Sequence, residues 1–171
     1  DVASRLRDLV GLYNKQGKYD LAVPLCQRAV AISEQTLGLD HPDVARYLIN
    51  LADLYKRQGH YGEAEELYQR ALVIRERALG PYNDSVNFNL WLLANLAEKQ
   101  GRKDRAEELY KRALTIREQS LGPEHPCLAS NLNDLAHFYK WQGQYAQAEP
   151  LYLRELAIRE KDLGPDHPDA A

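Results

Sequence analysis

The sequence predicts an all-α chain made of four copies of one helix pair, a solenoid of helix-turn-helix repeats. Three observations carry that prediction. The first is a pair of dipeptides. Gln-Gly recurs at Gln16-Gly17, Gln58-Gly59, Gln100-Gly101 and Gln142-Gly143, and Leu-Gly at Leu37-Gly38, Leu79-Gly80, Leu121-Gly122 and Leu163-Gly164, both at an unbroken spacing of 42 residues. The second is identity: eleven positions of the period hold the same residue in every copy. In the second copy they are Leu48, Leu51, Gln58, Gly59, Ala64, Leu67, Arg70, Ile74, Glu76, Leu79 and Gly80. The third is apolar spacing between these marks, which runs in helical steps of three and four.

The repeats run about 1–42, 43–84, 85–126 and 127–168, a single array over 1–171. In the second repeat, Val44, Leu48, Leu51, Ala52 and Tyr55 mark the buried face of helix A, about 43–57. Helix B, about 61–79, carries Tyr61, Ala64, Leu67, Tyr68, Ala71, Leu72 and Ile74, the wider apolar arc of a helix with neighbours on two sides. Small Ala64, Ala71, Ala106, Ala113 and Ala148 allow close helix approach. Gly38, Gly80, Gly122 and Gly164 suit the left-handed position that ends a helix. Pro42, Pro126 and Pro168 suit the first turn of the next helix, where a missing N–H costs little. His41, His125 and His167 precede those prolines and suit its N-cap. Pro24 and Pro150 fall early in helix B, where each removes one backbone hydrogen bond and kinks the first turn. Glu66 with Arg70, and Glu108 with Arg112, form i,i+4 pairs worth about 0.2–0.5 kcal/mol each. The chain begins at a helix A and stops where a fifth would start, with no polar cap beyond Ile158 and Leu163. It therefore reads as a piece of a longer array, with end-to-end association expected.

Composition narrows the function. Apolar residues are 44% and charged residues 27%, with a net charge of −3 and both signs interspersed. A balance of this kind gives no basic stripe for nucleic acid. No apolar run approaches the ~20 residues of a membrane span, and no secretory leader is visible. Cys26 and Cys127 are the only cysteines, and two do not make a disulfide framework, so two reduced thiols in a cytoplasmic protein are expected.

The pattern Ala45-x2-Leu48-x2-Leu51-Ala52-x2-Tyr55-x2-Gln58-Gly59-x-Tyr61-x2-Ala64-x2-Leu67-Tyr68-x2-Ala71-Leu72 resembles the tetratricopeptide repeat. The 42-residue period with Leu163-Gly164-Pro165-Asp166-His167-Pro168 as connector looks like the subtype of kinesin light chains and of many bacterial signalling and scaffold proteins. The resemblance covers all four repeats. It implies a right-handed superhelix, with helix A lining a concave groove and helix B outside. It also implies short peptides as ligands, including ones with a tryptophan among acidic residues. An Asn on helix A commonly holds the peptide backbone in such grooves, and Asn50 matches it. Asp8, Leu92 and Asp134 stand there in the other repeats. Asp8, Asp53 and Asp134 also count against a clamp for a terminal carboxylate.

No phosphate loop, zinc-protease, Cys-x-x-Cys or nucleophile-elbow motif is present. The three histidines before proline sit at one repeat position, separated rather than convergent, and Cys127 with His125 makes only two potential ligands. No enzyme activity, cofactor or metal is expected.

The helix-A stripe away from the core is the candidate site. In repeat 2 it holds Arg46, Ile49, Asn50, Asp53 and Arg57, at i, i+3, i+4, i+7 and i+11. Repeat 1 has Ser4, Arg7, Asp8, Gly11 and Lys15 there. Repeat 3 has Phe88, Trp91, Leu92, Asn95 and Lys99. Repeat 4 has Ser130, Asn133, Asp134, His137 and Trp141. Phe88, Trp91 and Leu92 put an apolar cluster where other repeats are largely polar, beside Ile49 and with Arg7, Arg46, Arg57 and Lys99 as a basic margin. Two readings follow: an anchor pocket for a peptide with a bulky apolar residue flanked by acidic ones, or plain packing between adjacent helices, under a side chain such as Tyr47. Beyond peptide binding, the alternatives are self-assembly through repeat ends and a regulatory segment of a larger signalling enzyme.

Overall fold

A computed structural model describes residues 2–163, with the backbone alone at Leu163. All regular structure among them is helical: α1 (Val2–Lys15), α2 (Tyr19–Leu37), α3 (Pro42–Gln58), α4 (Tyr61–Leu79), α5 (Asp84–Lys99), α6 (Lys103–Leu121), α7 (Leu128–Trp141) and α8 (Tyr145–Leu163). Odd helices are the A helices and even ones the B helices. Gly164, His167 and Pro168 lie outside the described residues. The chain divides into two compact units, Asp1–Leu96 and Ala97–Ala171.

Both glycines of the repeat have positive φ, with different ψ. Gly59 ends α3 at φ 83°, ψ 4°, the left-handed cap, and its N–H reaches Tyr55 and Lys56 carbonyls. Gly80 after α4 has φ 82°, ψ 159°, a region essentially open to glycine alone. The left-handed cap expected of the Leu-Gly glycines thus belongs to Gln-Gly instead. After Leu-Gly the chain must leave the helix extended to begin the connector, and only glycine combines that with positive φ.

His41 caps α3 through Nδ1, which accepts from the Asp43 N–H at 3.1 Å. Asn83 does the same for Ser85 at 2.9 Å, through its amide oxygen, so Asn supplies the bond that His supplies in the other repeats. His125 accepts from the Cys127 N–H at 3.2 Å. Here α7 begins only at Leu128, so Pro126 sits in the preceding turn rather than in the helix. Pro24 and Pro150 lie within α2 and α8.

In the first unit, α1 packs on α2, α2 on α3 and α3 on α4. Val44, Leu48, Leu54, Tyr68, Ala71 and Leu90 are wholly buried there. Asn89 is buried too, donating to the Tyr68 carbonyl at 2.9 Å. Arg75 reaches from α4 to the Ser85 carbonyl at 2.8 Å and ties the two helices at their turn. In the second unit, α6 packs on α7 and α7 on α8, around Ala106, Leu109, Leu128, Leu132 and Phe138. Arg117 repeats the Arg75 tie, donating to the Cys127 carbonyl at 3.0 Å.

The invariant Arg and Glu of helix B have a use that a single helix cannot reveal. Arg70 pairs with Glu34 of the preceding repeat at 2.6 Å, and Arg154 with Glu118 at 2.5 Å. Asp40–Arg77 at 3.9 Å and Glu124–Lys161 at 2.5 Å add a second rung at the connectors. The expected partner of Arg70 was Glu66, one turn back. Glu34 is only 22% exposed whereas Glu66 is exposed, and a charge pair attracts more strongly where the effective dielectric is lower.

Candidate peptide-binding face

The helix-A stripe forms, but its members lie at different depths. Phe88 is 50% exposed and stacks on half-buried Trp91, ring centroids 5.8 Å apart and planes 20° off parallel. Offset stacks of this kind are favoured for aromatic pairs. Ile49 and Leu92 do not join them at the surface: they are 6% and 3% exposed. Each sits at a margin of its stripe, Ile49 beside the face of Ala45 and Ala52, Leu92 beside that of Leu96. Helix A buries more of its circumference than the Leu48–Leu51–Tyr55 face alone, so margin residues are taken into packing.

The basic margin is partly occupied. Arg46 pairs with Asp43 at 3.3 Å and lies over the Tyr47 ring at 5.5 Å. Arg7 is 3.5 Å from Asp8 and 3.4 Å from Ser4 Oγ. Arg57 is exposed. Asp53 is half-buried at the centre of the stripe. It accepts a short hydrogen bond from the Tyr68 hydroxyl and lies 3.2 Å from Lys56 Nζ. Burial first, and then this carboxylate, push the Tyr68 hydroxyl far above the usual phenol range. The same pair of causes pushes the buried Cys26 thiol up to about 12. Cys26 stands where repeats 2 and 3 have Tyr68 and Tyr110; it is core, with Sγ donating to the Tyr47 carbonyl, while Cys127 is exposed.

Between α1 and α3 the face opens into a cleft of about 200 Å3, lined by Arg7, Val10, Gly11 and Asn14 on one side and Asn50, Asp53 and Leu54 on the other. Three of these, Arg7, Asn50 and Asp53, are stripe residues expected from spacing. Asn14 was not, because it lies one step outside the stripe. The signal that points to it is Gly11, the stripe member without a side chain.

In the second unit the α5 stripe ends in exposed Lys99. Half-buried Asn95 itself belongs to the first unit. On α7, Asn133 is turned to α8, donating to Glu155 at 3.1 Å. Glu155 is a buried carboxylate where the other repeats have Ala29, Ala71 and Ala113, and Arg159 holds it at 2.7 Å. His137 and Trp141 are both exposed, the indole N–H donating to His137 Nδ1 at 2.9 Å. Among the described residues no three His, Cys, Asp or Glu side chains are placed to share a metal ion. No helix among them is long and apolar enough to cross a membrane.

One Tetratricopeptide repeat family model matches residues 1–77 and 86–137, and a second matches 128–169. The chain belongs to the tetratricopeptide repeat family. Its backbone is similar to that of BtubC (BKLC) from P. vanneervenii, with a TM-score of 0.81 and 27% identity over 97% of this chain and 66% of that one. It is also similar to the nearly identical TPR-like repeats of a Podosopora anserina protein assigned as a kinesin light chain. That match has a TM-score of 0.80 and 30% identity over 99% of this chain and 82% of the other. MamA shares the fold at 16% identity, TM-score 0.65, over 94% of this chain and 80% of its own. These likenesses place the chain among all-α helical-repeat solenoids, and the repeat family marks it as a protein-interaction scaffold.

Proposed function

We propose that the helix-A face of the first unit binds a peptide segment of a partner protein, whose bulky apolar side chain seats on the Phe88–Trp91 stack. The exposed half of Phe88 supports this most directly. A ring held in a stack with half its surface in water is already ordered, so a ligand meets a fixed apolar surface and loses little entropy there. Arg46 and Arg57, both exposed on the stripe of the preceding helix A, favour acidic residues beside the anchor. Asn50, half-buried in the cleft, offers an amide to the peptide backbone. The reading places the chain in the cytoplasm, where the exposed thiol of Cys127 stays reduced.

The test is a peptide-library screen against the 171-residue chain, repeated with Trp91→Ala. Aromatic anchors in desolvated pockets are worth about 2 kcal/mol or more, roughly thirtyfold in affinity. The selected peptides should carry an aromatic or large aliphatic residue among acidic ones and weaken by that factor, with melting still cooperative. Peptides indifferent to Trp91→Ala would sink the reading. Concentration-dependent oligomers, equally indifferent, would favour self-assembly through repeat ends instead.

A further inference from the structure

We infer that the cleft between α1 and α3 receives one carboxamide side chain, that of Gln or Asn, from a peptide lying on this face. The inference rests on the reading above only in taking this face as the one a peptide meets. Size sets the first limit. Pockets for drug-sized ligands run roughly 300–1,000 Å3, and at about 200 Å3 this cleft suits a single side chain.

Its opening is a property of Gly11. Repeats 2, 3 and 4 carry Asp53, Asn95 and His137 at that position. Gly11 lies mid-helix, where the backbone requires no glycine and where glycine weakens the helix relative to alanine. A Cβ built on it would meet nothing within 4 Å. The side chain is missing, and the space it would take is open.

The lining then selects the occupant. Arg7 and the Asn50 amide donate, and Asp53 accepts. Asp53 already takes the Tyr68 hydroxyl and Lys56, yet a carboxylate has about four acceptor sites. An incoming carboxylate would face that of Asp53. An ammonium would meet Arg7, and Asp53 is already neutralised by Lys56. An apolar group would strip water from these polar side chains and return no hydrogen bond, which is costly. A carboxamide both donates two hydrogens and accepts, and so matches both sides.

The experiment is a titration of the isotope-labelled chain with N-acetyl-glutamine methylamide, followed by NMR at the Asn14 and Asn50 side-chain amides. Matched glutamate, lysine and leucine compounds serve as controls. The glutamine compound should give saturable shifts with a midpoint in the millimolar range. The others should be weaker by about tenfold, the worth of one or two net hydrogen bonds. Gly11→Leu should abolish the shifts and leave helicity and melting temperature unchanged or raised. Asn50→Leu should erase the preference for glutamine over leucine, and it decides the matter should Gly11→Leu not fold. No shift, equal shifts from all four compounds, a lysine-only response, or shifts surviving Gly11→Leu would each overturn the inference. The probe carries no apolar anchor, so failure of the Phe88–Trp91 reading leaves this result untouched.

Discussion

The two tryptophans of the chain occupy the same kind of helix and opposite surroundings. Trp91, in the middle turns of α5, is half-buried and stacked on Phe88. Trp141, in the last turn of α7, is 74% exposed, and its indole N–H bonds only one turn back, to His137. The difference is position along the helix. At the i+3 place of the stripe Arg7, Trp91 and Asn133 are half-buried and Ile49 is buried. The i+11 place hangs over the turn to helix B, where the other repeats carry Lys15, Arg57 and Lys99, side chains at home in water. An aromatic residue at the first place is a rigid, partly desolvated surface; at the second it is a loosely held ring.

Truncation along this series breaks or sharpens the comparison. Leu90, wholly buried one residue before Trp91, should cost most: Leu90→Ala removes about 2–5 kcal/mol of stability. Trp91→Ala should cost about 1–2 kcal/mol, below the ~3–5 kcal/mol of a fully buried aromatic, because part of the ring is already in water. Trp141→Ala should stay within about 0.5 kcal/mol, as surface changes do. Urea unfolding followed by circular dichroism gives all three. The comparison fails should Trp141→Ala cost as much as Trp91→Ala.

Most of the fold was legible because each helix announces itself locally. Glycine, proline and a 3.6-residue apolar period act within a few residues, and the 42-residue register multiplies the signal fourfold. What escaped was whatever depends on two repeats at once. Arg70 and Glu34 are 36 residues apart, so spacing within one helix offered Glu66 instead. Ile49 and Leu92 read as surface because a stripe drawn on one helix ignores how much of it the neighbours cover. Phe88 and Trp91 stood out as apolar on a polar stripe. The cleft did not, since it follows from an atom Gly11 lacks and from Asn14, just off the stripe.

The cross-repeat pairs allow the two units to be compared directly. Glu34–Arg70 in the first and Glu118–Arg154 in the second occupy equivalent places, with similar exposure. A double-mutant cycle to alanine in each should return a coupling of about 0.5–1 kcal/mol, the upper end for partly exposed pairs. Exchanging the charges, Glu34→Arg with Arg70→Glu, should recover part of what either single reversal loses. A cycle with no coupling would reduce the invariant Glu and Arg to solvated residues, leaving their presence in all four repeats without a physical cause.

The smallest effect concerns a tyrosine–carboxylate bond in each unit. The Tyr68 hydroxyl donates a hydrogen bond to Asp53 in a half-buried setting. Tyr139 donates to Glu107 at 2.8 Å, and Lys111 reaches the same Glu107 oxygen at 2.6 Å. These two bonds, that from Lys111 first, hold the Glu107 carboxyl below the usual carboxylate range despite some desolvation. A carboxyl lowered in the folded state stabilises it above the ordinary carboxylate range and loses that contribution as pH falls through the lowered value. Glu107→Gln should therefore melt lower than the parent at pH 7, by the equivalent of about 0.5 kcal/mol, since Lys111 is largely exposed. That gap should close in acid, where the parent's carboxyl is itself uncharged. A gap that persists unchanged to pH 2–3 would mean that side-chain shape, and not charge, is what Glu107 contributes between α6 and α7.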